Sequence, residues 1–178
     1  ILREGVIEAD TIEQHGGFIG VVVCTGNTCR SPMGEAILKK RIAERIGCGF
    51  DELAEHGITI LSAGIAARAG SGPASQSVDV MSELGLDISQ HQTRPVTARL
   101  ANFADLILTM TDGHRQAILS QWPTLESRVK TLRCDGGDIG DPIGSPVEVY
   151  QQCAAQIDAQ VQQWMDRIDF QQFARGGD

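Results

Sequence analysis

Residues Val21 to Glu35 read V-V-V-C-T-G-N-T-C-R-S-P-M-G-E, which places Cys24 at the end of an apolar run and Arg30 six positions later. Gly26 and Asn27 are residue types that tolerate positive φ, and Ser31 before Pro32 reads as a helix N-cap followed by proline at the first helical position. Such a loop is expected to curl its backbone N–H groups into a cup at a helix N-terminus, a ready site for a tetrahedral oxyanion. A thiol at the base of that cup faces amide donors and the positive end of the helix dipole, so Cys24 is expected to act as a thiolate nucleophile. Arg30 offers a planar fork of donors for two oxygens of a phosphoryl group. Together they suit covalent phosphoryl transfer, in which sulfur attacks phosphorus and water later releases it. Neither a metal nor a cofactor is required.

The leaving group still needs a proton. Asp141, in Gly140-Asp141-Pro142-Ile143-Gly144, is the candidate acid. Asp-Pro is also an ordinary turn dipeptide, and Asp135 and Asp138 lie close by, so spacing alone leaves the choice open.

These groups must be held by strands and helices. Gly20 to Cys24 is β-branched and precedes a helix from Pro32 to Ile46, with Leu38, Ile42 and Ile46 four apart. Ile58 to Ser62 reads as a second strand, followed by a small-residue loop and a helix carrying Val78, Met81 and Leu84. Asp105 to Met110 gives a third strand, Asp112 to Gln121 a helix opening on an acidic cap, and Val129 to Leu132 a fourth strand. In the last helix Val147, Tyr150, Ala154, Ile157, Val161, Trp164 and Ile168 recur three and four apart. That stripe could be a coiled-coil seam, but inside an α/β chain it is expected to pack on the sheet. Alternating strands and helices predict a parallel sheet covered on both faces, with the site at the strand carboxyl ends. One domain, residues 18–170, is expected between an arm at 1–17 and a polar tail at 171–178.

Composition narrows the function. The 178 residues carry a formal net charge of −8. That charge disfavours nucleic acid and anionic membranes, so a bound anion must be held locally. The apolar stretch Ile19 to Cys24 is far shorter than the roughly 20 residues of a membrane span. Five cysteines without regular spacing fit reduced thiols, and the reading is a soluble cytoplasmic protein. No histidine lies near a cysteine at zinc-ligand spacing, so no structural metal is expected.

Several segments together resemble the low-molecular-weight protein tyrosine phosphatase family. They are Cys24 to Met33, Ser62-Ala63-Gly64, Asp87 to Arg94, Ala104 to Thr111 and the Asp141-Pro142 loop, a likeness spanning about residues 18 to 168. The resemblance implies a three-layer α/β/α fold with a four-stranded parallel sheet of order 2-1-3-4. It implies that Cys24 is the nucleophile, that Arg30 binds phosphoryl oxygens, and that Asp141 is general acid and then base. It further implies that Thr25, Gly26, Asn27, Thr28 and Cys29 form the phosphate loop, and that Asn27, Ser31, Ser62 and His91 hold it, with Ser31 hydrogen-bonding the thiolate.

Within that family the residue before the second loop cysteine is usually aliphatic in tyrosine phosphatases and Thr in protein arginine phosphatases. This chain has Thr28. Its hydroxyl can hydrogen-bond an N–H-bearing substrate or water, although it could equally cap a loop backbone group. Tyrosine phosphatases of the family also resemble one another in carrying aromatic residues after Asp-Pro, where this chain has Ile143-Gly144. Arginine phosphatases tend to have Phe in place of Ile143. Phosphoarginine on a protein is the first expectation and phosphotyrosine the alternative. The related arsenate reductases relay a disulfide through a closely spaced cysteine pair, which Cys48, Cys134 and Cys153 do not supply. Cys29 could instead pair with Cys24 on oxidation, or simply fill space. A phosphoprotein-binding module is disfavoured, because binding needs neither nucleophile nor acid. Ile1 to Ile7 faintly resembles the closing segment of threonylcarbamoyl-AMP synthase domains, which with the non-Met start suggests a fusion to an upstream tRNA-modification domain.

Overall fold

A computed structural model describes residues 17–174. All seven residues of β1, Phe18–Cys24, are buried, because the strand runs down the middle of the sheet with helices over both faces. Its side chains alternate: Phe18, Val22 and Cys24 enter one core, while Ile19, Val21 and Val23 enter the other. β2 (Ile58–Gly64) and β3 (Leu106–Thr109) flank it, and β4 (Val129–Thr131) pairs with β3, all parallel, in the order β2-β1-β3-β4. The three-layer α/β/α arrangement and its strand order are those expected.

The first face is covered by α1 (Arg30–Ile46), α2 (Ser75–Glu83) and α5 (Val147–Met165). The second is covered by α3 (Ala98–Phe103) and α4 (Asp112–Gln121). In α5 the stripe Tyr150, Ala154, Ile157, Val161 and Trp164 is buried in the sheet-side core. Fully burying an Ile or Val side chain is worth about 1.5–3 kcal/mol, which accounts for the choice of packing over solvent. Trp164 satisfies its indole by donating Nε1–H to the Leu132 carbonyl at 2.8 Å.

Several local expectations change. α1 starts at Arg30, two residues before Pro32, with Cys29 at its N-cap and no side-chain cap; Ser31 is thus inside the first turn. α4 is capped by Thr111, whose Oγ1 accepts from the His114 N–H at 3.1 Å, and Asp112 is the first helical residue. Asn27 takes the left-handed conformation at φ 58°, whereas Gly26 does not. α3 is additional to the elements expected; Thr97 caps it by accepting from the Leu100 N–H. Residues Gln171–Ala174, expected in the polar tail, form the short helix α6, and Phe173 packs at 5.2 Å from the Phe18 ring. Cys48 and His56 fall near one another, although sequence spacing keeps the histidines apart from the cysteines. The arm at 1–16, with its suggested fusion, and the tail at 175–178 lie outside the described residues. No helix among the described residues is long and apolar enough to cross a membrane.

One close approach ties β2 to the loop after β1. A Cβ at Gly64 would sit 2.5 Å from the Thr25 carbonyl oxygen and 2.9 Å from the Asn27 nitrogen, both backbone atoms. Gly64→Ala should therefore cost about 1–3 kcal/mol, the usual range for overpacking, read as a lowered urea midpoint; an unchanged midpoint would show that the loop has slack.

Candidate active site

Cys24 ends β1 and hands the chain to a loop that runs into α1. Its Sγ lies 3.0 Å from Ser31 Oγ and 3.3 Å from the Asn27 backbone N–H, which points at it. The N–H groups of Thr28, Cys29 and Arg30 have no hydrogen-bond acceptor among the described residues, as the first amides of a helix commonly do not. Those amides lie at or just before the start of α1, the positive end of its dipole.

Asn27 organises this loop. It is completely buried, and its Nδ2 donates to Ser31 Oγ at 2.9 Å and to Ser62 Oγ at 3.0 Å. Its Oδ1 accepts from the Arg94 N–H at 2.9 Å, which fixes the amide orientation, and its carbonyl meets His91 Nε2 at 2.9 Å. Ser62 Oγ in turn donates to Glu35 Oε2 at 2.6 Å, while Lys39 Nζ donates to Glu35 Oε1 at 2.6 Å.

The hydrogens in this chain have one self-consistent direction. A carboxylate only accepts, so Ser62 gives its hydrogen to Glu35 and accepts from Asn27. Ser31 also accepts from Asn27, which leaves its own hydrogen for Cys24 Sγ at 3.0 Å in preference to the Ala63 carbonyl at 3.4 Å. Burial works to raise the Glu35 pKa, but the Lys39 ammonium, the hydrogen bonds from Lys39 and Ser62, and His91 together hold it below the ordinary carboxylate value.

Arg30 is buried and spans from α1 to the loop before α5. It donates NH1 to the Ile139 carbonyl at 3.0 Å and NH2 to Asp141 Oδ2 at 2.8 Å. Asp141 is partly exposed, and its other oxygen accepts from the Ile143 N–H at 3.2 Å. The remaining acidic candidates are engaged elsewhere. Asp135 forms a two-pronged pair with Arg133, which holds it down to about 2. Asp138 accepts from the Asp112 N–H at 2.8 Å. Of these three carboxylates, Asp141 is the one that contacts Arg30.

Thr25 is exposed at the rim, with Oγ1 2.8 Å from His114 Nε2. His114 is 5% exposed and its Nδ1 has no partner. Burial, then the nearby Arg30, lowers its pKa below the ordinary histidine value. Thr28 does not cap a backbone group through its hydroxyl; Oγ1 lies 3.6 Å from Cys29 Sγ. Cys29 is buried, 3.6 Å from Tyr150 OH. Burial pushes the Tyr150 hydroxyl upward and the nearby Cys153 thiol up to about 12, so both stay protonated. Ile143 projects from the rim, 65% exposed.

The structure therefore gathers Cys24, Thr25, Gly26, Asn27, Thr28, Cys29, Arg30, Ser31, Ser62, His91 and Asp141 around one loop. Glu35, Lys39, His114 and Tyr150 join them without having been singled out by sequence. Glu35 and Lys39 carry a readable signal, since they follow Ser31 at intervals of four on one face of α1.

Burial also depresses the His91 pKa against the opposing effects of the Asn27 carbonyl and Glu35. His91 and His114 therefore bind protons less readily folded than unfolded. Their contribution to stability is present above about 6.5 and is lost as the pH falls; that of Glu35 is lost at lower pH still, below its ordinary 4.5. The urea midpoint should fall on acidification from pH 7.5 to 5.5, and a His91→Gln, His114→Gln variant should show a flatter decline. A midpoint that rises on acidification would contradict this sign.

The same loop, sheet and helices occur in known proteins. The family model described as low molecular weight phosphotyrosine protein phosphatase matches residues 20–173. A probable low molecular weight protein-tyrosine-phosphatase, EpsP, of Ralstonia solanacearum is 34% identical over 149 residues, 83% of this chain and 94% of its own. The protein-arginine-phosphatase of Bacillus subtilis is 35% identical over 147 residues, 80% and 91% of the two chains. Among solved structures, a cysteine-to-serine mutant of the arginine phosphatase YwlE, with a phosphorylated active site serine, is 33% identical with a TM-score of 0.74, covering 84% of this chain and 95% of that one. The chain belongs to the low molecular weight phosphotyrosine protein phosphatase family and is a cysteine-dependent protein phosphatase.

Proposed function

We propose that this phosphatase hydrolyses phosphoarginine in proteins through a phosphocysteine intermediate. The Cys24 thiolate, held by the Ser31 hydroxyl and the Asn27 N–H, attacks phosphorus in line as the bond to the leaving nitrogen breaks. The free amides of the loop and the uncommitted part of the Arg30 fork take the phosphoryl oxygens, whose charge grows toward the transition state. Asp141 gives its proton to the leaving guanidine nitrogen. In the second step Asp141 takes a proton from water, the water oxygen attacks phosphorus, the S–P bond breaks and the thiolate returns with release of phosphate.

The 2.8 Å contact between Arg30 and Asp141 keeps the acid beside the phosphoryl binder. The phosphorylated active site serine of the related YwlE mutant supports covalent capture at this position. All five cysteines are unpaired, which fits a reducing, cytosolic setting.

The observation that carries the substrate assignment is Thr28. Its hydroxyl is half-buried at the loop and has no backbone partner among the described residues, so it is available to an N–H of a guanidine or to the attacking water. No aromatic residue stands in the Asp141-Pro142-Ile143-Gly144 segment to stack on a phenol. Phosphotyrosine is the second reading, favoured by the apolar surface that Ile143 exposes beside Asp141 and by the activity named for EpsP.

The test is kcat/KM on matched phosphoarginine and phosphotyrosine peptides. The parent should favour phosphoarginine, and Thr28→Ile should move the ratio toward phosphotyrosine by about tenfold or more, the lower end for one misfit group in a pocket. A parent that prefers phosphotyrosine, or a ratio unmoved by Thr28→Ile, overturns the assignment.

A further inference from the structure

Between α1 and β2 the chain makes a tight connection, none of whose residues takes part in the proposed phosphoryl transfer. It contains the 3₁₀ turn Phe50–Glu52 and presents Cys48, Glu52 and His56 together. One sulfur, one carboxylate oxygen and one imidazole nitrogen, one from each residue, all lie within 4.8 Å of one another. We propose that Cys48, Glu52 and His56 form a binding site for a divalent metal ion of the zinc class.

The donor set is the first argument. Sulfur, nitrogen and oxygen from three side chains are the ligands zinc takes, with water in a fourth position, whereas magnesium and calcium prefer oxygen alone. Geometry is the second. Three atoms separated by no more than 4.8 Å share a point within about 2.8 Å of all of them, against zinc–ligand lengths of about 2.0–2.3 Å. Closing the site thus asks each donor to move inward by about 0.5–0.8 Å, which small side-chain rotations supply without moving the backbone.

That backbone is already fixed. The Cys48 N–H donates to the Ala43 carbonyl, Glu52 N–H to Gly49, His56 N–H to Leu53 at 3.1 Å, and Ile58 N–H to Leu53 at 2.9 Å, with Leu53 buried beneath. Little backbone order is lost on binding, since the turn that carries the three donors is held in place beforehand. Few existing bonds oppose it. Glu52 Oε2 accepts from the Gly49 N–H at 2.7 Å and leaves its other oxygen, and the His56 ring has no hydrogen-bond partner among the described residues. The Cys48 thiol gives up a weak bond to the Gly49 carbonyl at 3.3 Å. On binding, a metal–sulfur bond forms, the S–H bond breaks and the proton leaves to solvent, with no change of oxidation state.

The position has a structural consequence. Phe50, between the first two ligands, lines a cavity of about 190 Å³ with Glu35, Lys39, His91 and Arg94, behind the phosphate loop. Lys39 sits 5.9 Å from the centre of the Phe50 ring. A metal would pin the turn that carries Phe50, and with it the wall that Phe50 gives this cavity.

Cobalt(II) is the probe, because a sulfur ligand gives it a near-ultraviolet charge-transfer band. The full chain carrying Cys24→Ser removes the nucleophilic thiol as a competing ligand. Titration should produce the band at one cobalt per protein, Zn²⁺ should abolish it, and Cys48→Ser in the same background should not show it. Glu52→Gln, which keeps the oxygen that caps Gly49, and His56→Gln should each weaken cobalt at least as much as loss of an outer-shell partner does, about tenfold or more. No band at saturating cobalt overturns the proposal. So does a band that survives Cys48→Ser, or one indifferent to both Glu52→Gln and His56→Gln, which would mark a lone thiol.

Discussion

The hydroxyl of Ser31 carries a single hydrogen, and the groups around it decide where that hydrogen points. Asn27 occupies its acceptor side, so the hydrogen is left for Cys24. Asn27 can do this because its other amide hydrogen is taken by Ser62, and Ser62 can accept because Glu35 draws the Ser62 hydrogen the opposite way. Four side chains deep, a lysine paired with that carboxylate keeps it ionised. Reversing any one link would present Cys24 with an acceptor instead of a donor, and a thiolate facing an acceptor is disfavoured. The reactive sulfur thus depends on charges placed on the first helix and relayed through a serine on the strand beside it.

The surrounding fold serves this chain of bonds. β1 delivers Cys24, β2 delivers Ser62 and then Gly64, and the parallel register sets Cys24 opposite Gly64 at the same sheet edge. Without a side chain at Gly64 the loop backbone can lie against β2, which brings Asn27 within reach of Ser62. Entry into α1 at Arg30 instead of Pro32 is what turns Ser31 inward: a capping serine would have spent its hydroxyl on a helix amide.

Much of this is legible in the sequence, and the boundary is physical. Periodicity marks the strands and the α5 stripe, and resemblance supplies the strand order, because burial on two faces writes itself as apolar runs and helical spacing. Cys24, Arg30 and Asn27 are legible because a phosphate loop needs particular residues at particular separations. Ser31 reads as a cap since Ser-Pro is ambiguous until the dihedral angles of Cys29 are known. Asp141 cannot be told from Asp135 by spacing; its contact with Arg30, 111 residues away in sequence, exists only in three dimensions. His114 gives no signal, because its partner Thr25 lies 89 residues away.

Sulfur as the atom that receives phosphorus is the central claim. Its most direct test is to mix the protein carrying Asp141→Asn, which on the proposed mechanism should slow hydrolysis of the phosphocysteine, with p-nitrophenyl phosphate, whose leaving group needs no acid, and to denature within the first turnover. Mass spectrometry of the peptides should find close to one phosphoryl group per chain, on Cys24. Steady release of p-nitrophenol with no phosphorylated cysteine, or a phosphoryl group carried by any other side chain, would contradict it.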